Sequence, residues 1–358
     1  MDKERLQLLR ELTEASGVSG YETEVKNVLK KYLKGLADVT YDKIGSIVFR
    51  KEGESSTPKV MIPGHMDEIG FMVRFITDDG FIKFWPLGGW FDQVLLSQKV
   101  VIKSSKGDII GIIGSKPPHI LTEEERKKVI EIKDMFIDIG ASSKKEVEED
   151  FGIKPGDPII PFSEFKEMWN KKCLLAKAWD DRVGCALFVE VIKELQKVKH
   201  PNTVYGVGTV QEEVGLRGAR TSSWVVEPDV AIIAEVGIAS DVPGAKPEEI
   251  CGKLGKGPQI AIYDAGMIPN LKLRDLVVDI AKKKKIPFQF TSLNRGATDG
   301  GVIHIHTKGV PCVYIGVPTR YIHSHAGIIN IDDYENTLKL IVETVKVLDK
   351  KKVEELIP

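Results

Sequence analysis

Ala178-Trp179-Asp180-Asp181-Arg182-Val183-Gly184 closes a strand-like run around Leu174-Leu175 and opens a helix. Read alone, two aspartates ahead of an apolar run are a helix cap, with acids in the positive first turn. Four other segments change that reading, because each carries an acid or a histidine at or just after a predicted strand: Gly64-His65-Met66-Asp67, Gln211-Glu212-Glu213, Ala234-Glu235-Val236 and Tyr321-Ile322-His323. In a parallel sheet the carboxyl ends of strands converge on one edge even when they are far apart in sequence. Asp180 is therefore read as a carboxylate that bridges two metal ions held from the sides by the other segments.

Outward from that stretch the chain alternates strand and helix on both sides of an interruption. Residues 2–36 place apolar side chains at helical spacing in two runs, broken by Gly17-Val18-Ser19-Gly20. Short strands at 39–41 and 47–50 flank a turn, and 58–65 reads as a buried strand that delivers His65 at its end. From about Val73 to about Phe165, short alternating strands with glycine turns replace the strand-then-helix rhythm. This texture predicts a small β-rich domain, residues 73–165, inserted into a catalytic domain made of residues 1–72 and 166–358. Residues 115–128, with His119, read as a mobile loop with a short helix. Beyond the insertion, helices are expected over 182–197, 216–223, 271–285, 301–306 and 332–351. Strands are expected over 203–210, 230–235, 259–263, 287–291 and 311–317. The fold class is α/β, a mixed, mainly parallel sheet sandwiched by helices.

Composition narrows the function. A chain of 358 residues with 42% hydrophobic content can bury the core of two domains. With 51 basic and 52 acidic residues, a formal charge of -1 predicts no electrostatic grip on nucleic acid or on an anionic membrane. Cys173, Cys185, Cys251 and Cys312 lack metal-binding spacing and read as free thiols of a reducing compartment. The charged N-terminus resembles no signal peptide, and no apolar run reaches the roughly 18 residues of a bilayer span. A cytoplasmic protein is expected.

Five convergent oxygen and nitrogen donors without cysteine suit one or two divalent ions rather than a structural zinc site. In Glu212-Glu213, adjacent side chains outside a helix point in different directions. One carboxylate can then bind metal while the other faces a reacting water, whose proton it accepts and later returns. The alternative for this pair is a helix start ahead of Leu216. The i, i+2 spacing of His65 and Asp67 in an extended segment puts both on one face, so that Asp67 can fix the imidazole tautomer. His304, His306 and His325 compete as donors, the first two within or beside a helix.

Taken together, GHMDEIGF, AWDDRVG, QEEVGLRGA, AEVG, RGATDG and RYIHS resemble the tetrahedral (TET) aminopeptidases of the forty-second metallopeptidase family, also labelled glutamyl aminopeptidase or cellulase-like. The resemblance implies a dinuclear site, with Zn or Co as the ions. In it Asp180 bridges, His65 and Glu235 complete one ion, and Glu213 and His323 complete the other. It further implies Glu212 as general base, Asp67 as the support of His65, and a cis peptide between Asp180 and Asp181, leaving Asp181 a structural role at the helix start. Arg295, Gly296, Thr298 and Asp299 would form a substrate-pocket wall. The inserted domain would mediate dimerisation, with dimers building a dodecamer that takes in peptides. The sequence departs from many relatives at His325, which follows His323-Ser324 where they carry Ser-Pro. Rival readings are a metallo-carboxypeptidase or N-deacylase, a metal-free glycosidase with two carboxylates flanking a sugar bond, and a non-catalytic scaffold.

Overall fold

A computed structural model describes residues 1–293 and 295–357. Among them, an 11-stranded sheet runs in the order Asp38–Tyr41, Ile47–Lys51, Thr203–Thr209, Lys59–His65, Val230–Ile238, Cys312–Arg320, Gly327–Asn330, Cys173–Ala176 and Lys166–Glu167. Gln259–Tyr263 and Gln289–Ser292 attach beside Cys312–Arg320. The central strands from Thr203–Thr209 to Cys312–Arg320 pair in parallel, and the outer ones are mixed. The strands at 166–167 and 327–330 were not anticipated; the first is only 2 residues long and the second follows the last loop directly.

Alternation along the central strands divides their side chains between two cores. Val60, Ile62, Ile232, Ala234, Val313 and Ile315 face one, with residues of helices Lys3–Glu14, Thr23–Tyr32, Leu271–Lys283 and Ile331–Val345. Met61, Ala231, Ile233, Cys312 and Tyr314 face the other, with Ala219, Val226 and Ile303 from two shorter helices. The helix opening at Trp179 and ending at Leu195 is buried almost all round, which explains its nearly continuous apolar composition.

The expected single C-terminal helix is two helices, Ile331–Val345 and Lys350–Glu355. Its break has a distant cause. The Asn202 amide donates to the carbonyls of Val345 (2.7 Å) and Leu348 (2.9 Å), and Asp349 caps the second helix at the Lys352 N–H. The helix expected over 301–306 ends at Ile303, so His304 and His306 lie beyond it.

Six antiparallel strands between Gly70 and Pro161 close into a barrel around Phe71, Val100, Ile102, Ile137 and Ile159. Closure leaves no free edge, which suits strands this short. Within 115–128 a 3-10 turn at Pro118–Ile120 precedes a short α-helix, Glu123–Arg126, which carries a capping box from Thr122 and Glu125. Cys173, Cys185 and Cys312 are buried free thiols, and Cys251 is half-buried. Among the described residues no helix is long and apolar enough to cross a membrane.

Candidate active site

Strand direction brings the five segments together. Cys173–Ala176 is antiparallel to Gly327–Asn330, which is antiparallel to Cys312–Arg320, so it runs in the sense of the central strands and releases Asp180 at their carboxyl edge. His65 ends its own strand, directly opposite Thr209. Glu212 and Glu213 follow Gln211, whose φ is 56°, and His323 has a φ of 54°. These non-glycine left-handed residues turn the chain abruptly at the sheet edge, a conformation that surrounding structure must impose. The Asp180-Asp181 peptide is cis. Gly64 and Gly184 let the histidine strand and the helix start approach: a Cβ on Gly64 would stand 2.5 Å from the Gly184 carbonyl carbon.

The donors converge on a basin continuous with a cavity of about 520 Å³. Asp180 Oδ1 lies 2.9 Å from His65 Nε2, and Asp180 Oδ2 lies 3.3 Å from His323 Nε2. Glu213 Oε1 is 3.7 Å from His323 Nε2, while Glu212 Oε2 and Glu235 Oε1 are each 3.9 Å from His65 Nε2. Two sets of donor atoms lie mutually within 4.8 Å: His65, Asp180 and Glu213, and His65, Asp181 and Glu235. Asp181 is thus closer to the donors than its expected role at the helix start required. Fully buried, it accepts from the His65 N–H (3.1 Å) and the Gly184 N–H (2.9 Å).

Asp67 stands in a different relation to His65 from the one expected. The strand stops at His65, so the alternation that would have aligned the two side chains is lost. His65 Nδ1 instead meets the Asp67 backbone carbonyl at 2.9 Å, and the carboxylate is 3.6 Å away. That carboxylate accepts from the Glu212 N–H (2.9 Å), the Glu213 N–H (3.1 Å) and Ser19 Oγ (2.6 Å). Asp67 therefore orients the imidazole through its carbonyl and the Glu-Glu pair through its side chain. Sequence reading also missed Gly89, whose carbonyl accepts from His323 Nδ1 at 2.6 Å across the boundary with the barrel. A backbone acceptor carries no side-chain signature by which it could have been found.

Arg295, Gly296 and Thr298 line the cavity together with Leu216, Ile238 and Leu293. Asp299 is not among the lining residues. It is buried, with Oδ2 accepting from Thr209 Oγ1 at 2.6 Å and Oδ1 unpartnered among the described residues. Its strand-to-helix turn points this side chain toward the neighbouring strand end rather than into the opening. His325 is buried apart from the donor sets, its ring 5.3 Å from Trp90 and both nitrogens unpartnered among the described residues.

The electrostatics are those of a site built for cations. Burial, with Asp180 beside it, pushes the Glu213 carboxyl up to about 8. Burial likewise pushes Glu212 and Glu235 well above the ordinary range, the neighbouring acids adding to it. Burial opposes charge on His323, yet Asp180 and Glu213 raise it to about 10, and acidic neighbours raise His65 in the same way. Burial also opposes charge on Asp180, but the two histidines hold it below the carboxylate range. Glu213 Oε1 is buried without a hydrogen-bond donor among the described residues. Carboxylates crowded face to face, an acceptor with no donor and imidazoles on either side fit divalent ions.

One consequence concerns the metal-stripped protein. Glu213 binds a proton in the fold between its ordinary 4.5 and about 8, and His323 between its ordinary 6.5 and about 10. Both values are raised, so both groups withdraw stability as pH rises through those windows. The Tm of stripped protein should fall from about pH 6 to about pH 9, and added metal should flatten the curve. Thermal scans in matched buffers check this; a stripped-protein Tm that climbs with pH contradicts it.

Residues 45–340 match the family model described as M42 glutamyl aminopeptidase, and a short model, AMPT, matches residues 3–29. The chain is similar to the TET aminopeptidase from the marine sediment archaeon Thaumarchaeota archaeon SCGC AB-539-E09, with a TM-score of 0.96 and 48% identity covering 99% of each chain. It is 36% identical over 354 residues to a lysyl aminopeptidase of Pyrococcus furiosus, 96% of this chain and 98% of that one. The TET1 peptidase of Pyrococcus horikoshii, described as able to assemble into a tetrahedron or a large octahedral shell, matches at a TM-score of 0.85 and 32% identity, covering 96% of this chain and 100% of that one. Fold and basin thus define a metal-dependent aminopeptidase, a hydrolase acting as an exopeptidase. The chain belongs to the M42 glutamyl aminopeptidase family.

Proposed function

We propose that the chain removes N-terminal residues from peptides with two divalent ions per protomer, Zn or Co. Asp180 would be shared by the two sites, with His65 and Glu235 holding one ion and Glu213 and His323 the other. The observation that carries this reading is the orientation of Asp180, one oxygen toward His65 and the other toward His323. When bound, such ions polarise the scissile carbonyl and lower the pKa of water. Glu212 accepts the proton of the attacking water at its carboxylate and returns it to the departing amine. Asp67 holds the Glu212 and Glu213 amides in place, and the cavity walled by Arg295, Gly296 and Thr298 receives the first residue of the substrate. Asp299, bonded to Thr209 Oγ1, acts on the site only as a nearby acid that raises Glu212.

The inserted barrel serves as the dimerisation domain, dimers build a dodecamer enclosing the active sites, and the assembly works in the cytoplasm on peptides. The assembly of the TET1 relative supports the oligomer. A single panel tests the function: stripped and metal-reloaded protein against free and N-acetylated aminoacyl anilides of acidic, basic and aliphatic residues. Anilide cleavage is expected only from reloaded protein and only on free amines. Release of acetate from the N-acetylated compounds would mark an N-deacylase instead.

A further inference from the structure

We infer that the loop from Gly17 to Glu22 is a positioning clamp for the general base, acting through Glu22 and Ser19 on the backbone corner that presents Glu212. The inference rests on the proposed role of Glu212. The loop joins helices Lys3–Glu14 and Thr23–Tyr32 and precedes the residues that match the M42 family model.

Two carboxylates hold three consecutive amides at that corner. The Gln211 N–H donates to Glu22 Oε1 (3.1 Å), the Glu212 N–H to Asp67 Oδ1 (2.9 Å) and the Glu213 N–H to Asp67 Oδ2 (3.1 Å). Ser19 Oγ donates to Asp67 Oδ2 at 2.6 Å and so orients the second carboxylate. Gln211 occupies the left-handed region at φ 56°, which a non-glycine residue keeps only where its surroundings over-determine it. The loop is anchored beside Asp67, since the Gly17 carbonyl accepts from the Glu68 N–H (2.9 Å) and from Arg182 Nη2 (3.0 Å).

Glu22 has no other evident task. It occupies the N-cap position of the helix Thr23–Tyr32, yet its side chain makes no capping bond. Its Oε1 accepts from the Gly20 N–H (2.7 Å) and from Gln211. It is 5% exposed and forms no salt bridge among the described residues, a costly way to hold a carboxylate unless its acceptor is needed. Neither Glu22 nor Ser19 touches the reacting groups. Releasing the Gln211 amide lets the corner relax, and a displacement of about 1 Å at a catalytic group costs on the order of a hundredfold in rate.

The test uses Glu22→Ala, Glu22→Gln and Ser19→Ala, metal-loaded, on whichever aminoacyl anilide the wild type cleaves fastest, with Tm and metal content measured and Glu212→Gln alongside. Glu22→Ala should lower kcat by roughly ten- to a hundredfold with KM within about twofold and metal content unchanged. Glu22→Gln retains an acceptor oxygen and should restore most of the rate, and Ser19→Ala should lower kcat by about fivefold. Folded Glu22→Ala with kcat within about twofold of wild type overturns the clamp, as does a loss that only tracks metal content. If Glu22→Ala does not fold, Ser19→Ala decides in the same way. An inactive Glu212→Gln beside a normal Glu22→Ala removes the clamp alone, whereas an active Glu212→Gln removes the assigned base and the clamp with it.

Discussion

Glu212→Gln should lower kcat by about a thousandfold while the protein keeps its full complement of metal. Glutamine has the same shape and leaves the Glu212 N–H bonded to Asp67 Oδ1, so the corner that presents the side chain is preserved. What disappears is a carboxylate able to take a proton from water. A thousandfold loss corresponds to roughly 4 kcal/mol of transition-state stabilisation, within the range of a positioned general base. The substitution also removes one of two acids that repel each other at this corner, Glu212 and Glu213, which favours retention of the fold. The decisive measurement pairs kcat/KM with metal analysis of the same sample. A near-normal rate would strike Glu212 from the mechanism, and lost metal would recast it as a ligand.

Asp180→Ala should abolish binding at both metal positions together and depress activity by at least about a thousandfold. Each Asp180 oxygen faces a different histidine, so deleting one carboxylate deprives both sites. Glu235→Gln and Glu213→Gln should each weaken one position, because Glu235 lies with His65 whereas Glu213 lies with His323. Metal content per protomer, measured across the three variants, distinguishes a shared ligand from two private ones. Loss of only one ion from Asp180→Ala would end the bridging assignment and direct attention to Asp181, which lies within the set of His65 and Glu235.

Much of the candidate site was legible in the sequence. His65, Asp180, Glu212, Glu213, Glu235 and His323 each fall at or just past a strand marked by its apolar run, and the structure brings all of them to one edge. The bonds around Asp67 were not legible, because its spacing from His65 held meaning only if the strand continued. The division of the last helix was also hidden. Its own residues are helix-compatible throughout, and the amide that terminates it belongs to Asn202. Asp299 shares a motif with Thr298 but not its direction, since a turn sends adjacent side chains to different neighbours.

By itself the sequence determined the alternation of strands and helices, the interruption by a β-rich segment, and the chemical types of the donors, since periodicity and residue identity are local properties of the chain. Only the tertiary structure decided which Asp180 oxygen faces which histidine, that Asp67 grips the amides of Glu212 and Glu213, and that a barrel carbonyl at Gly89 holds His323. Those contacts join residues 115 to 234 positions apart. Their geometry follows from sheet order and packing, and no local pattern specifies either.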